Sequence, residues 1–144
     1  ETTGKFFELI RYGTTWGDFK ERVRMIEDNG HEIEFSSTIS NISILDFAKF
    51  YDTYNKHHNI LVGTINERPF LMPHVLDDLS KENFILETRS LNNVPQFQDI
   101  SRLVNLDPSD TDRKNFGNYL KQFSSRRSMD ISFLPEHLRK WCGL

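Results

Sequence analysis

Five histidines (His31, His57, His58, His74 and His137) and a single cysteine, Cys142, are the side chains here best suited to ligate a metal or act as a nucleophile. Their spacing serves neither task. His57 and His58 are neighbours, and on a helix adjacent residues diverge by about 100°. No two histidines stand three or four apart, the interval that aligns two ligands on one helix face. A cysteine-built metal site takes about three or four thiolates and a disulfide takes two, so one cysteine excludes both within the chain. No Ser/His/Asp or Cys/His scheme has a local signature, and Cys142 sits in a terminal Trp-Cys-Gly-Leu. Gly13-x-x-x-Gly17 lacks the lysine of a phosphate loop and follows no apolar strand.

The elements that would position any site are clearer. Thr15 with Asp18 predicts a capped helix start, and Trp16, Phe19, Val23 and Ile26 recur at helical spacing behind it. Asn29-Gly30 closes that helix, glycine being free to adopt the left-handed C′ conformation. Ile33, Phe35 and Ile39 alternate with polar residues and predict a strand over residues 31–39. Asn41-Ile42-Ser43 turns the chain. Ser43 with Asp46 predicts a second capping box, heading a helix with Ile44, Phe47, Ala48, Tyr51 and Tyr54 on one face. The β-branched run 59–65 reads as a buried strand. Strands separated by one helix usually lie parallel, so the fold class expected is α/β.

Beyond Ile65 the pattern changes. Asn66-Glu67 reads as a turn and Arg68 to Met72 as one more short strand. A broken helix is expected between Leu76 and Leu91, and a short one from Pro95 to Leu106. Another starts at Asp107-Pro108-Ser109-Asp110, carrying Phe116, Tyr119, Leu120 and Phe123, and a last turn or two spans Ser132 to Trp141. The division expected is therefore 1–75, built of βα units, and 76–144, mostly helical. Of the 144 residues 37% are apolar, and twelve are Phe, four Tyr and two Trp, enough aromatic surface for a packed core. The net charge of −3 gives no basic face for nucleic acid. No apolar run approaches the length of a membrane span. A reducing, cytoplasmic setting fits the lone cysteine.

Three segments resemble a known superfamily. "ETTGKFFELIRYGTTW", through Glu1, Gly4, Phe7, Ile10, Arg11, Gly13 and Trp16, is similar to the stretch of radical SAM enzymes that leaves the fourth barrel strand. "SSTISNISILDFAKFYDTY", through Thr38, Ile39, Asn41, Leu45 and Asp46, resembles that family's next strand and helix. "NYLKQFSSRRSMDISFLPEHLRKW" resembles the close of the twitch-domain branch, with Arg126 or Arg127, Phe133, Pro135, Glu136 and Leu138 in matching places and Ser125 departing from it. The similarity is weakest from Leu76 to Asp107. The family's C-x3-C-x2-C triad is missing.

The resemblance implies the C-terminal portion of a (β/α) partial barrel with parallel strands, followed by a mostly helical tail. The complete parent would use S-adenosylmethionine and a [4Fe-4S] cluster for radical chemistry on a peptide or small molecule; this fragment alone would hold neither cofactor and be inactive. Its partner would be the missing N-terminal barrel half. By the same resemblance Arg11 pairs with the cofactor carboxylate, the strong bidentate geometry of a guanidinium; the alternative is an ion pair with Glu8 or Glu1. Ser36 and Thr38 face the cofactor or the core. Asn41 bonds a ligand or caps the turn to the next helix. Leu61 to Gly63, centred on Val62, touch the adenine or are plain core. An α/β interaction module without catalysis is the competing expectation, and a degenerate relative that has lost its cluster is a third.

Overall fold

Local chemistry and packing divide the work of building this fold. The structure, a computed structural model, describes residues 2–65, 67–91 and 94–144. Glu1 and Asn66, and with them the acidic start of the first motif and the expected 66–67 turn, lie outside those residues. The α-helices are α1 (Gly4–Ile10), α2 (Trp16–Asp28), α3 (Phe47–Tyr54), α4 (Asp78–Glu87), α5 (Pro95–Val104), α6 (Asp110–Arg127) and α7 (Glu136–Trp141). Two strands, β1 (Glu34–Ile39) and β2 (Asn59–Thr64), pair in parallel, with Ser36 opposite Leu61 and Thr38 opposite Gly63. The architecture is mixed α/β and mostly helical.

The caps explain the clearest boundaries. Thr15 Oγ1 accepts the Asp18 N–H at 3.0 Å, and the Asp18 carboxylate accepts the Thr15 N–H at 3.1 Å. This is the predicted capping box, and those bonds hold the Asp18 carboxyl below the usual carboxylate range. Gly30 follows α2 at φ +74°. Ser109 caps α6 by accepting the Asp112 N–H, and Arg126 and Arg127 lie at the negative end of that helix.

Two expected elements form differently. The Ser43/Asp46 box does not close: the Ser43 hydroxyl accepts the Ser40 N–H at 2.6 Å, and Asp46 instead accepts the backbone N–H of Thr3. Residues Ser43–Leu45 form a 3₁₀ turn, and α3 starts only at Phe47. The strand expected over 68–72 is replaced by two 3₁₀ turns, Pro69–Leu71 and Pro73–Val75. Each begins at a proline, which has no N–H for a ladder and suits a first helical turn. α1 has no counterpart among the elements read from the sequence. Its seven residues are too few to be stable without packing, which buried Phe7 and Leu9 supply.

One core holds these elements together. Phe47, Phe84, Phe97 and Phe116 are fully buried in it, with Leu9 and Ile39 from the first part of the chain and Leu120 and Leu138 from the tail. The apolar cluster is thus continuous across residue 75. The tail is also tied back by Trp141, whose Nε1–H donates to the Val75 carbonyl at 2.9 Å. Among the described residues no helix is long and apolar enough to cross a membrane.

Candidate functional site

The two faces of the sheet differ sharply. Phe35, Ser37 and Ile39 of β1 turn toward the helices, where Phe35 meets the rings of Phe50 and Tyr54 at 5.6 and 4.8 Å. Glu34, Ser36 and Thr38 lie exposed on the other face beside Asn59, Leu61 and Gly63 of β2. The edge of β1 matters as well. Ile39 O accepts the Ile65 N–H at 3.2 Å, so alternate residues 35, 37 and 39 bond toward β2. The backbone groups of Glu34, Ser36 and Thr38 therefore point to the opposite edge, where no further strand pairs among the described residues.

A cavity of about 280 Å³ opens beside the amino-terminal half of β1. Phe7, Phe19, Phe35 and Phe50 give it aromatic walls, and Arg11, Thr14, Glu34, Ser36 and Ser37 give it polar groups. Arg11 reaches it because it ends α1: its N–H donates to Phe7 O at 2.8 Å and its carbonyl accepts the Thr14 N–H at 3.2 Å. Gly13, at φ +87°, allows that tight reversal. Glu8 accepts the Trp16 N–H at 3.1 Å, which places its carboxylate at the start of α2. A guanidinium, three hydroxyls and a carboxylate over aromatic walls make a pocket that can hold a small polar molecule.

Two of the five residues singled out from the sequence, Arg11 and Ser36, meet in this cavity. Thr38 lies on the same exposed face, two residues toward the carboxyl end of β1. Asn41 is fully buried: its Nδ2 donates to Phe70 O at 2.9 Å and its N–H to Leu71 O at 2.9 Å. It thus pins the end of β1 to the 3₁₀ turn at Pro69–Leu71, while its Oδ1 has no partner among the described residues. Val62 packs against the core on the opposite face of the sheet from Ser36 and Thr38. No family model, curated protein or solved structure matches this chain. The site therefore has to be judged on its own geometry.

Thr14, Glu34, Ser37 and the aromatic walls are not among the site residues expected from the sequence. The alternation of β1 marks Glu34 as sharing a face with Ser36, but nothing local links Thr14 to that strand. A second polar group lies in the tail. Asp77 caps α4 by accepting the Ser80 N–H at 3.1 Å, takes the Ser80 hydroxyl at 2.7 Å, and lies 2.8 Å from His137 Nδ1. The serine hydroxyl bonds the aspartate rather than the histidine, so this is not the order of a nucleophile triad. It is a clamp joining α4 to α7.

Cys142 is buried, and burial, with the nearby Asp77 charge, pushes its thiol up to about 12 against the opposing pull of Arg113. One buried, protonated thiol does not fit an iron–sulfur cluster, which takes several thiolates. Among the described residues no group of three or more His, Cys, Asp or Glu is placed to hold a metal ion.

Proposed function

We propose that this chain is the later portion of a radical SAM-type (β/α) barrel of the twitch-domain branch. In that reading it completes a cytoplasmic enzyme by docking against an N-terminal half that carries the cluster. One observation carries it: a two-stranded parallel sheet whose outer face is exposed and whose β1 edge pairs with no further strand among the described residues. Parallel sheets are ordinarily covered on both faces, and a pair of strands is marginal by itself. In a barrel the exposed face, with Ser36, Thr38, Leu61 and Gly63, becomes the lumen, and the free edge of β1 takes the preceding strand. Buried Thr2 and Thr3 enter the fold at the carboxyl end of β1, where Thr3 bonds Asp46. A strand leading into Thr2 along that edge would run parallel to β1, as the barrel requires.

S-adenosylmethionine, when bound with a reduced [4Fe-4S] cluster, would supply a 5′-deoxyadenosyl radical; the cluster's ligands would come from the other half. The residues here would bind and orient. Arg11 would meet the cofactor carboxylate at the edge of β1 beside Ser36, while Thr38 would lie on the lumen face two residues nearer the carboxyl end of that strand. Asn41 would pin the end of β1 and Val62 would pack in the core, neither touching the cofactor. The test is anaerobic reconstitution with iron and sulfide of the gene product including the residues encoded upstream of Glu1. Cluster absorbance and reductive release of 5′-deoxyadenosine are expected there, and neither from the 144 residues alone. An upstream sequence without a cysteine triad, and a product that binds no cluster, would reject the enzyme in favour of a non-catalytic module that uses the same edge to hold a partner strand.

A further inference from the structure

α6 carries Tyr119, Phe123 and Arg127 at four-residue intervals, so all three share one helix face. This face makes a continuous stack. Tyr119 lies 5.8 Å from Phe70 and 5.3 Å from Phe123. The Arg127 guanidinium carbon lies 3.8 Å from the Phe123 ring centre and 4.8 Å from that of Tyr12. Tyr12 directly follows Arg11, and the residue is 63% exposed even with Arg127 against its ring. At the other end, Phe70 O accepts the Asn41 side-chain amide.

The geometry points to Arg127 as a positioning residue for Arg11. By holding the Tyr12 ring against the end of α6, it sets where the 11–14 turn presents the Arg11 guanidinium to the cavity. The role of the Arg11 guanidinium as the carboxylate anchor rests on the function proposed above. The clasp is specific in what it asks of each partner. A guanidinium is planar and lies between two ring faces, so lysine is a poor substitute. Tyr12 contributes its ring and not its hydroxyl, so phenylalanine should serve as well. Arg127 Nη1 is buried with no hydrogen-bond partner among the described residues, and the contacts seen for its guanidinium are with the two rings. The tail would thereby act on the cofactor pocket without touching the cofactor.

Two measurements test this. In the 144-residue chain, ¹⁵N relaxation reads the order of the Tyr12, Gly13 and Thr14 amides. The native chain and Tyr12→Phe should both be rigid, with order parameters near about 0.85, whereas Tyr12→Leu and Arg127→Met should fall below about 0.6. Arg127→Lys should lie between. An unchanged turn in Tyr12→Leu overturns the clasp even if Arg127→Met fails to fold. In the longer gene product, Arg127→Lys and Tyr12→Leu should raise the KM for S-adenosylmethionine roughly tenfold with kcat nearly unchanged, and Tyr12→Phe should restore it. Arg11→Gln separates the two claims. If it raises KM and the Tyr12 and Arg127 variants do not, positioning is wrong while the anchor stands; if Arg11→Gln has no effect, both fall.

Discussion

The closed end of this molecule and its open end obey opposite rules. Where α6 meets the C-terminus, contact leaves no spare room: a Cβ placed on Gly117 would lie 2.2 Å from the Cys142 carbonyl oxygen. The Asp77–His137 contact and the Trp141 bond to Val75 O tie that region further. Along β1 the backbone of Glu34 and Ser36 faces an open edge, and Leu61 stays 46% exposed on the uncovered face. The chain packs its tail to backbone contact yet leaves a parallel sheet half-covered. That contrast is why the outer face and edge of β1, and not the histidines, are the places to look for function.

The contrast breaks most visibly at Gly117. Gly117→Ala should gain about 1 kcal/mol of helix propensity but lose more to the clash, because the obstructing atom is backbone. A net loss of about 2 kcal/mol is expected, seen as a lower urea midpoint at unchanged slope. Equal or greater stability would mean that the α6–C-terminus contact is looser than described.

His74 sharpens it through pH. Its ring is buried in the closed end, and that burial lowers its pKa, with Asp112 opposing and Lys81 assisting. The unfolded chain therefore binds the proton more readily than the folded one. His74's stability contribution is complete above its ordinary value of about 6.5 and is lost as pH falls through the lowered folded value. His74→Gln should flatten the decline in melting temperature below neutrality, and an identical decline would exclude His74 as its source.

The smallest effect belongs to the open end. Leu61→Ser should change the stability of the chain by less than about 0.5 kcal/mol, since that side chain is half in water. A substantially larger loss would show that the outer face is already covered in the isolated chain.

Sequence-local chemistry made much of this architecture legible. The Thr15/Asp18 box, the Gly30 stop and the alternation of β1 each need only residues within a few positions, and each is present. The Ser43/Asp46 box had the same local pattern and failed, because Asp46 was claimed by Thr3, 43 residues away in sequence. Pro69 heads a 3₁₀ turn where a strand over 68–72 is expected, because its missing N–H cannot join a ladder. The pocket is only partly legible: Arg11 and Ser36 are expected site residues, whereas Thr14, Glu34, Ser37 and the aromatic walls are not. What the sequence determined alone was where helices start, where they stop and which strand residues share a face, since hydrogen bonds and backbone sterics act over about four residues. Which face stayed uncovered, which side chains met across it and which carboxylate a cap lost were decided only by tertiary packing, because those contacts join segments that no local interval connects.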